Sequence, residues 1–360
     1  MHLMNKHWPL WCAFLVLIAG NFLQGLTYLN HDVAWVLYSS GRLLDGGVFG
    51  EDIVAANPPL IWWLSTIPEA FSRITGMDSI HTLRLAIFAI SVVVLLDFHK
   101  HLATYFPPAP TAIILIFFSI FISIASDRNF GQREHIAALF ILPYLLRTVR
   151  VVENGTGRTH WFAAIFAGLG VAFKPHFVFI PLLVELYIIL RRRSFIHLFR
   201  ADILISTATI VIYLCTVFIW ARPYISTVVP AISEVYWGFS SSPLLVAIKI
   251  KTEILLLYLT FMLVYVNRFP PLSSLFLLTS IGFLGAALLQ AKGYSYHIYP
   301  ITLFSLISLM CLPLAKSRML AVITISLLCA ALYTELKSSY GSVVNRTYLG
   351  PTGIRIQNVV

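Results

Sequence analysis

Apolar runs of roughly 15–20 residues recur along the whole chain, and at 1.5 Å per residue such runs match the thickness of a bilayer's hydrocarbon core. Polar or proline-bearing stretches punctuate them. Membrane-spanning helices are therefore expected at 9–26, 84–98, 111–126, 135–151, 161–173, 176–190, 201–221, 252–267, 272–290, 297–315 and 319–335, about eleven in all. The fifth and sixth are short and are separated only by Lys174-Pro175-His176. The first two are joined by a long segment, 27–83, in which Asp32 to Leu44 and Pro59 to Ile74 mix apolar residues with Ser, Arg and Glu. That mixture predicts helices lying in the membrane interface, a depth that suits Trp35, Trp62 and Trp63.

Composition sharpens this picture. Of 360 residues, 59% are hydrophobic and 11% charged, against about 25% charged in soluble domains. With a mean hydropathy of +0.85 the chain reads as a polytopic membrane protein. One membrane domain, 1–335, and a short tail, 336–360, are expected, with the N-terminal apolar run retained as the first span rather than removed as a signal peptide. The net charge of +10 sits in short loops and not on one continuous polar face, so no nucleic-acid partner is expected. Cys12, Cys215, Cys311 and Cys329 fall inside apolar spans without metal-ligand spacing, which predicts packing residues.

The distribution of basic residues sets an orientation. With the N-terminus inside, Lys100, the Arg147 to Arg158 group, the Arg191 to Arg200 group, Arg268, Lys316 and Arg318 all lie on the cytoplasmic side. The loop 27–83, the turn Asp127 to Glu134, Lys174-Pro175-His176, the segment Arg222 to Lys251 and the turn Gln290 to His297 then share the extracytoplasmic face. Nearly every unusual polar group gathers there.

Three of these stretches could carry chemistry. Asp32 stands where the first span leaves the bilayer, and it is either the N-cap of an interfacial helix starting at Val33 or a carboxylate base or cation ligand. The turn from Asp127 to His135 holds Arg133, Glu134 and His135 at the start of a span; these are either helix-end charges or buried groups kept for function. Lys174, with Lys292, Tyr296 and His297, offers cationic and phenolic donors suited to a phosphate or pyrophosphate, with interfacial anchoring as the other reading of the tyrosines.

The segments HDVAWVLYSSGRLLDGG, NPPLIWWLSTIP, ITG with Leu83-Arg84 further on, GQREH, GLGVAFKPHFVFIPLLVE and QAKGYSYHIYP together resemble the integral-membrane GT-C glycosyltransferases, in the branch of the protein O-mannosyltransferases and the lipid A aminoarabinose transferase. They run in family order up to about residue 315. The resemblance implies an all-α polytopic membrane protein, a GT-C-like bundle of about 11 transmembrane helices with interfacial helices in the first extracytoplasmic loop. It implies a polyprenyl-phosphate-linked sugar donor, an acceptor that is an envelope glycan, lipopolysaccharide or glycolipid, and a site on the periplasmic face of a bacterial inner membrane. Asp32 and Glu134 match the family's acidic catalytic positions; Lys292 and His297 match the late loop that holds the donor phosphate, with Tyr296, Arg133, Lys174 and Arg84 as further contacts. His31, Asn57 and His135 fall in acceptor or structural loop positions.

Two departures bear on these roles. His31-Asp32 stands where many relatives carry an Asp-Glu pair, and Asn57 replaces the Lys or His often found before Pro-Pro. Both touch the question of a divalent cation, Mg or Mn, which Asp32 and Glu134 would hold if one is used. The C-terminal soluble domain of many relatives is not expected here, leaving acceptor recognition to the membrane domain and the tail. A flippase or transporter of lipid-linked sugars is the competing function; it would favour mid-span polar residues and repeated halves, which the sequence does not display.

Overall fold

The structure, a computed structural model, describes residues 4–157, 159–235, 238 and 240–312, together with 322, 324–330, 333, 337, 340 and 344. Arg158, Lys316 and Arg318 lie outside the described residues, as do the end of the expected span 297–315, part of the span 319–335 and most of the tail.

Among the described residues the chain is helical and has no β-strand, with an isolated β-bridge pairing Phe49 with Ile53. The elements are α1 (Met4–Gly25), α2 (His31–Leu44), α3 (Leu60–Thr75), α4 (Ser79–Tyr105), α5 (Pro108–Ser123), α6 (Arg133–Asn154), α7 (Trp161–Ala172), α8 (Phe179–Arg192) and α9 (Ala201–Trp220). They continue as α10 (Val229–Val235), α11 (Pro243–Lys249), α12 (Lys251–Val266), α13 (Pro271–Gln290) and α14 (Ser295–Met310). Five helices, α1, α4, α6, α9 and α13, are long and apolar enough to cross a membrane. Each of the first ten expected spans falls on a helix, and α2 and α3 occupy the segment between the first two.

Local chemistry sets the ends. Asp78 caps α4 by accepting from the Ile80 and His81 amides, at 2.8 and 3.3 Å. Pro108 and Pro271 open α5 and α13, where a missing N–H loses no helical bond. Pro175 separates α7 from α8 through a short 3-10 turn, Pro175–Val178, with Lys174 at the apex between them; α7 packs on α6 and α9, and α8 on α13.

α6 runs through the middle, buried along nearly its whole length, with α4, α7, α13 and α14 packed around it. The core is rich in phenylalanine, including Phe98, Phe118, Phe276, Phe283 and Phe304. Gly282 lets α13 close onto α8, because a Cβ there would stand 2.8 Å from Ile180 Cα. That approach brings the end of α13 to the α7–α8 apex.

Polar clusters mark the two ends of the bundle. At one end Arg147 forks onto Asp97, at 2.6 and 2.9 Å, and Arg200 joins Glu185 and Asp202. The opposite end carries α2, α3, the 127–132 turn, Lys174, Gln290 and the start of α14.

Candidate functional site

At this second end a buried polar cluster is assembled from four separate parts of the chain. α6 begins at Arg133, which places Glu134 in its first turn, where the helix's unpaired amides favour a carboxylate. Lys174 stands in extended backbone before Pro175, so its side chain leaves the α7–α8 apex inward. Gln290 is the last residue of α13, and Ala291 and Gly293 beyond it take positive φ, +53° and +61°, turning the chain sharply into α14. His297 lies in the first turn of α14. Ser295, at the start of that helix, hydrogen-bonds Asn129 at 3.2 Å, tying the late loop to the 127–132 turn.

Lys174 is the hub. Its Nζ donates to Glu134 Oε1 at 2.5 Å and to Gln290 Oε1 at 2.7 Å, and it lies 3.4 Å from His297 Nε2. The Tyr296 ring covers the ammonium from 5.3 Å. Glu134, Lys174, Gln290 and His297 are all buried. Burial pushes the Lys174 ammonium down to about 8, with Glu134 pulling the other way.

The cluster also holds polar atoms without partners. Glu134 Oε2, Arg133 Nη1 and His297 Nδ1 are buried and unpaired. His297 Nε2 faces an ammonium and so acts as the acceptor, which leaves the proton of the neutral ring on Nδ1. Two donors, Arg133 Nη1 and His297 Nδ1–H, and one acceptor, Glu134 Oε2, are therefore unsatisfied on residues that act on one another electrostatically. Unpaired buried groups each cost about 1–3 kcal/mol, a penalty that a bound oxyanion carrying a hydroxyl neighbour would relieve. Lys292 acts electrostatically on both Lys174 and His297, adding a second cation at the rim.

Asp32 is connected to this cluster through Gln132. Asn30, not Asp32, is the N-cap of α2: its side chain accepts from the Asp32 amide at 2.9 Å and the helix starts at His31. The capping role considered for Asp32 is thus filled by a neighbour. Its carboxylate accepts from Gln132 Nε2 at 3.4 Å and pairs with His31 Nε2 at 3.2 Å, with the Asp32 side chain 40% exposed. A small apolar cluster of Val33, Leu37, Leu83, Ile87 and Phe130 clamps α2 to α4 and to the 127–132 turn, and fixes that placement. Asp32 and Glu134 both act electrostatically on the Tyr296 phenol.

The remaining sequence candidates have other surroundings. Arg84 donates to the Thr27 carbonyl and, at 3.4 Å, to Gly25 O, so it holds the end of α1. His135 accepts from the Gly131 amide at 3.2 Å and donates from Nε2 to Ile122 O at 3.0 Å, which uses both ring nitrogens to brace the turn. Asn57 lies in the bend before α3, outside the bonds that join the cluster. His31 is exposed beside Asp32.

Gln290 and Gln132 are the members that sequence reading passed over. Each is an amide at the mouth of an apolar helix, one directly before Arg133-Glu134 and the other two residues before Lys292. That adjacency was the available signal.

A divalent cation fits this set poorly. Glu134 is engaged by an ammonium, Asp32 is the remaining carboxylate, and among the described residues no three His, Cys, Asp or Glu side chains come together as ligands.

No protein family, curated protein or solved structure matches the chain.

Proposed function

We propose that the chain is a membrane glycosyltransferase of the GT-C type, built on a bundle of about eleven transmembrane helices, that moves a sugar from a polyprenyl-phosphate-linked donor to an extracytoplasmic acceptor. The observation that carries this reading is the buried Lys174–Glu134 pair flanked by unpaired donors on Arg133 and His297, with Asp32 joined to it through Gln132. Cationic and N–H donors beside an exposed carboxylate are the two things that sugar transfer from a lipid phosphate requires.

In the proposed reaction the acceptor hydroxyl oxygen bonds to the anomeric carbon while the bond from that carbon to the phosphate oxygen breaks. Asp32 takes the hydroxyl proton. The leaving phosphate gathers negative charge, met by Arg133, Lys174, His297 and Lys292. Glu134 holds Lys174 in position, and its second oxygen is available to a sugar hydroxyl. A single displacement inverts the anomeric centre. The acceptor class is an envelope glycan, lipopolysaccharide or glycolipid, and the bias of basic residues toward the opposite end of the bundle supports a periplasmic site in a bacterial inner membrane.

The test is mass spectrometry of envelope glycans and glycolipids from wild-type, deletion and Asp32→Asn strains. One sugar missing in both altered strains is the expected result. Unchanged sugar structures together with a lipid-linked precursor held on the inner leaflet would overturn the transferase in favour of a flippase.

A further inference from the structure

An open cleft of about 520 Å³ lies between α2, α3 and the start of α4, at the end of the bundle that carries the Lys174 cluster. One side of it is polar. Arg73 donates from Nη1 to Asp45 Oδ1 at 2.6 Å and from Nη2 to Asp45 Oδ2 at 3.2 Å, and its Nε donates to Glu69 Oε1 at 3.2 Å. A further bond from Nη2 to the Gly41 carbonyl, at 2.9 Å, ties α3 to the last turn of α2. Leu37 and Ile80 give the cleft an apolar side, and Tyr38 stands in its lining with 63% exposure. The Tyr38 ring lies next to that of Trp35, itself 45% exposed, with centroids 6.0 Å apart. The charges of the lining cancel, Arg42 and Arg73 against Asp45 and Glu69. Arg73 is occupied by its two carboxylates, whereas among the described residues Arg42 makes no ion pair and Glu69 Oε2 accepts no hydrogen bond.

We infer that this cleft binds a neutral sugar of a glycan chain, with a C–H face of the ring on Tyr38 and the hydroxyls on Arg42, Asp45 and Glu69. A zero sum of charge selects neither an anion nor a cation. What the polar side offers is spare lone pairs on two carboxylates beside guanidinium N–H groups, and a hydroxyl, which donates and accepts at once, answers both. A sugar repeats that pairing around a rigid ring whose C–H faces are apolar, and those partly positive hydrogens suit the negative face of an aromatic ring. The volume falls in the range of small-molecule sites, roughly 300–1,000 Å³. The cleft is also separate from the proposed reaction centre. At 3.6 residues per turn, Ala34, Leu37 and Gly41, which line it, lie roughly 140–200° around α2 from Asp32. The site does not depend on the transferase reading.

The experiment is saturation-transfer NMR of the full chain in a polyoxyethylene detergent, whose headgroup carries no sugar, with cellobiose, maltose, lactose and chitobiose as probes. Saturation of at least one disaccharide is expected. Tyr38→Ala should lower it at least fivefold, because the exposed ring is the platform, and Arg42→Ala, which breaks no ion pair, at least threefold. Trp11→Ala removes an aromatic of similar exposure, 61%, from α1 and should leave the signal unchanged. All three variants should keep the wild-type thermal midpoint, which separates a lost site from a lost fold. If Tyr38 serves only to anchor α2 at the membrane surface, its removal leaves sugar binding as it was. That result, an absent signal from all four sugars, an equal signal from the uncharged peptide N-acetyl-trialanine amide, or displacement of the sugar by equimolar inorganic phosphate would each overturn the proposal.

Discussion

Lys174 Nζ and Glu134 Oε1 meet at 2.5 Å across forty residues of sequence, with both side chains almost fully withdrawn from solvent. A buried pair of this kind gives little net stability when intact, yet removing one partner strands the other charge. Lys174→Met is therefore expected to lower stability by about 3–5 kcal/mol, and the double variant Lys174→Met with Glu134→Leu to recover most of that loss. Thermal unfolding of the three proteins in one detergent reads this directly. A single variant as stable as wild type would show that the pair is not buried as described.

Asp32 offers the cleanest separation of chemistry from folding. Its carboxylate is partly exposed and the α2 cap belongs to Asn30, so Asp32→Asn leaves the helix start intact. Loss of a general base lowers turnover by about 10²–10⁴-fold. The thermal midpoint and the affinity for the donor are expected to stay at wild-type levels. Weaker donor binding with unchanged turnover would move Asp32 from the base to the phosphate side of the site.

Much of the architecture was legible in the chain because apolar run length is a strong one-dimensional signal. The spans expected at 84–98 and 135–151 needed no tertiary information to be placed and fall within α4 and α6, whose ends lie several residues further out. Glu134, Lys174 and His297, which counting spans sorts to one face, meet in the structure. What the sequence did not contain was who pairs with whom. Lys174 read as a free cation for phosphate, and its capture by Glu134 and Gln290 depends on the depth at which the α7–α8 apex meets α6 and α13, a packing result set in part by Gly282. Arg84 and His135 show the same limit: that these buried side chains bond backbone carbonyls or amides is decided by packing and cannot be told, in sequence, from a side chain kept for a ligand.

The pH response follows from Lys174. Burial brings its folded-state value down to about 8, whereas the unfolded chain keeps the ordinary 10.5. Between those values the unfolded chain holds a proton that the folded protein has released. Unfolding then takes up a proton, so this group makes stability rise with pH across the window from about 8 to 10.5. Donor affinity moves the opposite way, because a neutral amine no longer attracts phosphate; the donor KM is expected to climb roughly tenfold per pH unit above about 8. Parallel pH series of thermal midpoint and KM check both signs. A KM flat from pH 7 to 9.5 would remove Lys174 from donor binding.

Gly50 tests whether the loop between α2 and α3 must be seated for the site to work. Its φ of +102° lies where only glycine is at ease, and a Cβ there would fall 2.1 Å from Tyr224 N. The obstacle is backbone, not a movable side chain. Beside it Phe49 packs against Trp62 and Tyr224, with ring centroids at 5.1 and 5.4 Å, so the same stretch joins α3 to the segment before α10. Gly50→Ala must lift this loop, at about 1–3 kcal/mol for the backbone strain alone. The Lys174 cluster shares no bond with the loop and should persist. Hydrogen exchange is thus expected to rise at residues 47–54 and to stay unchanged at 131–137, while transfer falls because α2, which carries Asp32, loses support from α3. Exchange that spreads to both regions would instead mean that the loop holds up the whole end of the bundle.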